Sequence, residues 1–472
     1  MKLKLRNFLA KKENLYLSLA LSFGLLMAFV NPPFAGVPDE HAHYWKAWSI
    51  AEGYLYCTGK DEIPLTATVL PDQIKPIKYD GIKEKKIVVA KLKEKLFESD
   101  NAEKGVIGGA NCPSTPFGYI SQAAGLKLGQ GAGLSALASF YLARVLTLLL
   151  SIALFYWAIK IVPFGKIIFL IVGLLPMTIR QFASLSYDGV AIAFAAVFLA
   201  YILKLAMERE NFLTKKNLVL LLALSLFGLN VKLGYFALSF LIFILPMSKF
   251  KNKRNYWLTT LGFVAINAAF LLVIRSIFKD IAPPDWTNPA EQMKFVIFAP
   301  FHFLYAVFDS YYGASGFVPH LEGMIFKVGN GASFESWLYV LTFFGGLIFI
   351  KNTDEEVGLS FRQRAIMLTV FLMNFTLIYL ALYLGWSKIG AEKVSGVQGR
   401  YFLAIVPLLI FTFYKAKFSF KFQWVKKNLN LLFVTFVVVI FFFVFKAIYL
   451  NQYDKVKHPG NPVYEQYINS QK

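Results

Sequence analysis

Long apolar runs separated by short basic stretches set the pattern of this chain. Runs able to cross about 30 Å of hydrocarbon fall at 14–30, 135–160, 164–179, 186–206, 216–231, 233–248, 256–278, 335–351, 364–385, 401–415 and 430–450. They predict an all-α integral membrane protein with about eleven transmembrane helices, in a range of about ten to twelve. The pair around Asn230 is parted only by the turn "NVKLG". Residues 1–472 read as a single polytopic membrane domain.

The basic stretches orient it. Met1 to Lys12 is basic, and Pro32 and Pro33 follow the first run where a signal peptide would carry small residues. The first span is therefore read as retained, with the N-terminus inside. The connections "KIVPFGK", "MERENFLTKK", "MSKFKNKRN", "KNTDEEVGLSFRQR" and "KAKFSFKFQWVKK" then lie inside, each carrying Lys or Arg. The tail from Asn451 falls outside.

Two outer segments are large. The first, 31–134, is Lys-rich, but long segments translocate largely regardless of charge. After Pro38 it predicts an amphipathic helix lined by Tyr44, Trp45, Trp48 and Ile50, lying along the membrane surface and ended by Gly53. Residues 75–112 read as a charged insertion with a short strand or hairpin. The second outer segment, 279–334, has an apolar stretch at 293–308 that dips into the interface.

Composition agrees with this picture: 57% of the 472 residues are hydrophobic and 16% charged. The net charge of +21 is scattered between apolar runs, without the basic face interleaved with aromatics that a nucleic-acid binder shows. The two cysteines, Cys57 and Cys112, share the first outer segment, so a disulfide and two free thiols are both open.

Ionisable residues near apolar spans are costly and hence informative. Here they gather at the predicted outer rim. Asp39 and Glu40 follow span one, with His43 one turn on. Arg144 lies in the outer half of span two, Arg180 ends span three, and Asp188 begins span four. Lys232 and Tyr235 sit at the turn between spans five and six, and Arg400 begins span ten. Carboxylates such as Asp39 and Glu40 suit general-base work, and His43 is a catalytic candidate beside them, with a merely structural bond to Asp39 as the open alternative; Arg180, Lys232 and Arg400 suit a phosphate. Together they describe an enzyme that takes a sugar from a lipid phosphate. His41 points elsewhere on its helix and reads as a surface residue. No H-E-x-x-H or cysteine pair marks a metal site, although a hard divalent cation on Asp39 and Glu40 stays open.

The stretch "PPFAGVPDEHAHYWKAWSIAEG" resembles the hallmark P-D-E-x-x-H of a mostly uncharacterised family of bacterial multi-spanning membrane proteins, similar in turn to the GT-C superfamily of glycosyltransferases. "CPSTPFGYI", "ASLSYDG", "KLGY" and "GVQGRYFLAIVP" extend the likeness over most of the chain. One departure is "GASGFVP", where that pattern has a Trp after the Gly. The resemblance implies a GT-C-like fold with its cleft at the outer face of the bacterial inner membrane, and an inverting hexosyl or pentosyl transfer. The donor would be a polyprenyl-phosphate sugar, and the acceptor a cell-envelope glycan or lipid-linked saccharide. It implies Asp39 as base, Glu40 as assistant, and Arg180, Lys232, Tyr235, Gln398 and Arg400 around the donor phosphate. The alternative is a transporter or flippase of lipid-linked saccharides, which should place its charges near the bilayer midplane.

Overall fold

The computed structural model describes residues 8–56, 59–74, 89–98, 103–108, 114–208, 212–277, 286–312, 317–327, 336–351, 358–414 and 423–453. Cys57, Cys112, most of the charged insertion and the "GAS" of "GASGFVP" lie outside them. The protein is mostly helical. Among the described residues six helices are long and apolar enough to cross a membrane: Lys12–Val30, Ala136–Ile161, Tyr187–Met207, Lys253–Ile274, Phe361–Trp386 and Asn428–Leu450. A seventh is counted if the pair Pro289–Phe298 and Pro300–Tyr312, bent by 105°, is one broken span.

The chain opens with α1 (Lys12–Val30) and α2 (Glu40–Ala51). Strand β1 (Asp61–Pro64), α3 (Leu65–Gln73), α4 (Val89–Leu96) and strand β2 (Lys104–Ile107) come next. A 3-10 turn at Pro116–Tyr119 leads into α5 (Ile120–Gly131) and then α6 (Ala136–Ile161). After these stand α7 (Lys166–Gly173), α8 (Pro176–Phe182), α9 (Tyr187–Met207) and α10 (Lys215–Gly228). A 3-10 helix at Leu233–Ile244 precedes α11 (Lys253–Ile277), α12 (Pro289–Phe298), α13 (Pro300–Tyr312) and α14 (Phe317–Ile325). The chain closes with α15 (Ser336–Lys351), α16 (Phe361–Trp386), α17 (Val406–Phe413) and α18 (Gln423–Gln452).

Several runs expected as single spans are broken or shortened, and the sequence supplies the reasons. The run 164–179 is cut between Gly173 and Pro176, where Pro176 opens a new helix because it lacks the N–H that would continue the old one. The run 401–415 yields only the eight residues of α17, with Pro407 in its first turn. The run 233–248 is a 3-10 helix up to Ile244. At a rise of about 2 Å per residue, it stretches twelve residues over about 24 Å, longer than an α-helix of the same count.

The helix α2 departs from its expected place. Tyr44, Ala47 and Trp48 are buried, not laid on a membrane surface. They pack with Ile63, Ala67, Leu70, Tyr119, Leu126, Phe140 and Leu185 in a second core, separate from the bundle's main one. An aromatic stripe reads the same in either setting; here β1 pairs antiparallel with β2 and supplies the missing partner surface. The strand expected in the insertion exists, but its partner is upstream. The bundle's centre is α9, with 78% of its apolar stretch buried. Against α6 lies α5, where a Cβ on Gly125 would meet Ala143 Cα at 2.4 Å, so the two backbones touch.

Candidate functional site

The turn from α1 into α2 carries the first carboxylates, and Arg144 of α6 holds it in place. Its Nη1 donates to the carbonyls of Ala28 (2.9 Å) and Asn31 (2.6 Å), and its Nη2 to that of Pro32 (3.3 Å). The Ala28 and Asn31 carbonyls are of the kind that the end of a helix leaves without partners, while that of Pro32 also accepts from the Gly36 amide at 2.9 Å. Nε and Nη2 also reach Glu40 Oε1 (3.0 Å) and Oε2 (2.6 Å). Five bonds match the five donors of a guanidinium. Glu40 is equally committed: Oε1 accepts from the Leu185 amide and Oε2 from the Phe34 amide, each at 3.2 Å. Both side chains are fully buried. The pair thus ties α1, α2, α6 and the start of "SYDG" together, and Glu40 keeps no lone pair for a substrate.

Asp39 is placed differently. It is exposed, takes φ 60° and ψ 15°, and makes no capping hydrogen bond with its side chain. The left-handed region is uncommon for a residue with a Cβ, and Phe34 in the same turn has φ 58°. Two such residues in one buttressed turn mark a conformation imposed by its surroundings. The Asp39 carboxylate lies within electrostatic reach of Arg400 and Tyr401. It is an unspent acid at the rim of a buried ionic cluster.

That cluster centres on Asp188. In the first turn of α9, its Oδ1 is 2.8 Å from Lys232 Nζ and its Oδ2 3.1 Å from Arg400 Nε. The Arg400 contact is an ion pair without hydrogen-bond alignment, so Arg400 Nε and Nη1 remain buried and unbonded. Lys232 Nζ sits 3.5 Å from the Tyr401 ring centre, with the Tyr235 and Tyr187 rings at 5.7 and 5.8 Å. Burial pulls the Lys232 ammonium down to about 8 against the opposing pull of Asp188. Tyr235 spends its hydroxyl on the Tyr401 carbonyl at 2.9 Å. Arg180 donates through Nη1 to the Lys327 carbonyl, lies over Phe326, and keeps an unbonded buried Nε. Its charge and that of Arg400 act on each other. Lys232 and Arg400 thus share one buried carboxylate, with Arg180 within reach of the Arg400 charge, so positive charge is in surplus in a place where uncompensated charge is expensive.

His43 forms a wall of this cluster. Its Nδ1 is 2.7 Å from the Tyr119 hydroxyl and its ring stands edge-on to Tyr187 at 5.2 Å. Burial lowers its pKa to about 3, against the raising influence of Asp188. The folded protein therefore refuses a proton that the unfolded chain accepts near pH 6.5. Stability should fall as pH drops from about 6.5 toward 3, and His43→Gln should flatten that acid limb. Melting curves of both proteins at about pH 5 and pH 7 test this; parallel losses in the two would refute it.

The segment carrying Arg400 is seated by a glycine. A Cβ on Gly399 would meet the His320 carbonyl at 2.0 Å and the Met324 amide at 2.6 Å, both backbone atoms of α14. The second Gly of "GVQGRY" is thus a close approach. Gly399→Ala should cost roughly 1–3 kcal/mol, read as a lower melting temperature; unchanged melting would mean that the segment is not seated on α14. Gln398 is half-buried and extended, and its carbonyl accepts from the Tyr401 amide at 3.0 Å.

The structure therefore brings together His43, Asp188, Lys232, Tyr235 and Arg400, with Asp39 and Arg180 within electrostatic reach, and sets Glu40 and Arg144 beneath as a brace. Tyr119, Tyr187 and Tyr401 join them without having been singled out by the sequence. For Tyr187 and Tyr401 the signal is adjacency to named charges in "SYDG" and "GRY"; Tyr119, in "PFGYI", has no such neighbour. His41 is exposed. No group of three or more His, Cys, Asp or Glu is arranged to hold a metal among the described residues, and both oxygens of Glu40 are committed to Arg144 and backbone amides, which leaves Asp39 alone for a cation.

Residues 21–409 match the family described as "Predicted membrane protein (DUF2142)". The match runs from α1 into α17 and includes every residue of the cluster. No curated protein and no solved structure matches the chain.

Proposed function

The chain belongs to that family of predicted membrane proteins, and from this premise we propose that it is a membrane glycosyltransferase. It moves a sugar from a polyprenyl-phosphate donor to a cell-envelope glycan or lipid-linked acceptor at the outer face of a bacterial inner membrane. One observation carries the reading: an unspent exposed carboxylate, Asp39, stands at the rim of a buried cluster with surplus positive charge and unbonded guanidinium N–H groups. Such a cluster asks for an anion, and such a carboxylate for a proton. The resemblance to the GT-C superfamily supports the same reading, with the positive-inside loops turning the cluster outward.

The chemical step can be assigned to these places. The acceptor hydroxyl gives its proton to the Asp39 carboxylate while its oxygen attacks the anomeric carbon. The bond from that carbon to the phosphate oxygen breaks, and its electron pair stays with the phosphate. The donor, a phosphodiester with one negative charge, leaves as a monoester with a second developing charge. Arg400, Lys232 and Arg180 meet that new charge, the kind of preorganised stabilisation that lowers barriers most. Asp188 holds Lys232 and Arg400 apart and in place until the phosphate arrives. Attack opposite the leaving group inverts the anomeric centre.

The broken helices α7–α8 and α12–α13 favour a second reading, since discontinuous helices are common in transporters. A single assay separates the two. Vesicles containing the protein are given polyprenyl-phosphate donors with radiolabelled sugar. Label moving into an acceptor larger than the donor is the expected result; label that crosses the bilayer still attached to its lipid would make the protein a flippase.

A further inference from the structure

Helices α12 and α13 meet at Ala299 with a bend of 105°. They are about 15 and 20 Å long, so neither crosses about 30 Å of hydrocarbon alone, and the bend keeps them from crossing it as one rod. No Asp, Glu, Lys or Arg occurs between Lys294 and Asp309. The outward face of α13 consists of Phe301, Leu304, Tyr305, Phe308 and Tyr312, all exposed, and Ile297 and Phe298 carry it across the elbow. Phe298 and Phe301, at the apex, are 86% and 83% exposed. Spacings of three and four residues make this one apolar stripe, of a kind that a water-facing surface rarely carries. Its level follows from α16. Phe303 packs against Tyr383 with ring centres 5.3 Å apart, and Tyr383 lies about 33 Å along α16 from the basic stretch "FRQR". That is close to the thickness of the hydrocarbon. The elbow therefore sits at the bilayer boundary opposite "FRQR", in the zone where aromatic side chains concentrate.

The inward side of the elbow is occupied. Ser310 Oγ accepts from the Val394 amide at 2.7 Å and Gln292 Oε1 from the Gly390 amide at 3.0 Å, while His302 Nε2 lies 3.1 Å from the Gly390 carbonyl. Asp309 adds an ion pair with Lys393 at 3.3 Å. All of these grip 390–394, in the strap that runs from the end of α16 to Gln398, Gly399 and Arg400. Gly399, against α14, seats the other end of that strap. We infer that the elbow is a bilayer-seated clasp: its stripe rests among the acyl chains of phospholipid, and its inward side holds the strap that delivers Arg400. Phospholipid fits the stripe better than a second copy of the chain does, because the stripe continues the lipid boundary of the spanning helices and offers no charged group to a protein partner. The inference goes beyond the transfer chemistry and does not depend on it.

The full chain in nanodiscs of phosphatidylglycerol and phosphatidylethanolamine, doped with a phospholipid that carries a diazirine in its acyl chain, tests the seat by mapping of the adducts. Hydrogen exchange in the same nanodiscs tests the clasp. Adducts should fall on 297–308 as well as on the exposed residues of α11 and α15. Phe301→Asp, or Phe298→Asp if that variant does not fold, should cut the elbow adducts about tenfold. The same variant should let the Gly390 and Val394 amides exchange about tenfold faster, roughly what the loss of one hydrogen bond allows. Ser310→Ala should free the Val394 amide and leave the adducts unchanged. Adducts on α11 and α15 with none on 297–308 overturn the lipid seat. So do crosslinks between two copies through the elbow, which would make it an interface between chains. Elbow adducts lost without faster exchange at Gly390 and Val394 overturn the clasp.

Discussion

Arg144→Met should be the most damaging single change outside the cluster itself, costing about 3–5 kcal/mol, the usual penalty for stripping one partner from a buried ion pair. Glu40 would be left charged and buried with only two amide donors, and the Ala28 and Asn31 carbonyls at the end of α1 would lose their Arg144 bonds. The protein should melt well below wild type or fail to accumulate. Arg144→Lys should rescue little, because an ammonium has three donors where five are in use. The double variant Glu40→Met, Arg144→Met should recover part of the loss, since removing both charges removes the penalty of burying one alone. Melting temperatures of the four proteins decide it. A single variant as stable as wild type would mean that the brace holds nothing.

The second large effect concerns the cluster. Arg400→Met and Lys232→Met should each lower kcat for sugar transfer by about 10²–10³, the range seen when one preorganised donor to a developing anion is lost. Donor affinity should fall less, because the second negative charge appears only as the phosphate leaves. The two losses should not add, since both groups contact the same Asp188 carboxylate and act as a unit. Steady-state kinetics with purified donor separate kcat from KM. A rise in KM alone, with kcat unchanged, would mean that these cations only bind the donor.

Much of the site is legible in the amino-acid sequence alone, because buried charge next to apolar runs is too costly to be idle. That rule singles out Asp39, Arg180, Asp188, Lys232 and Arg400, spread over some 360 residues. What it cannot give is pairing. Glu40 and Arg144 are 104 positions apart, and nothing in their local sequence says that one saturates the other. Asp39 and Glu40 look equivalent as neighbours in one motif; a left-handed residue at Asp39 sends the two carboxylates to opposite fates. Helix α2 is misplaced by its sequence for a related reason. Amphipathicity shows that a face will be covered, never by what, and the covering strands and α5 come from 60 to 130.

Hydropathy miscounts the spans where proline and 3-10 geometry intervene. It sees the apolar run at 164–179 but not that Pro176 restarts the helix, and it cannot distinguish twelve residues of 3-10 helix from a shortened α-helix. Those interruptions are where α8 begins and where Lys232 and Arg400 enter.

The most direct test of Asp39 as the base is single-turnover sugar transfer by wild type and Asp39→Asn, reconstituted in vesicles with donor prebound. Asp39→Asn should bind donor as wild type does and transfer about 10²–10⁴ times more slowly. Transfer at the wild-type rate with that carboxylate gone would contradict the assignment.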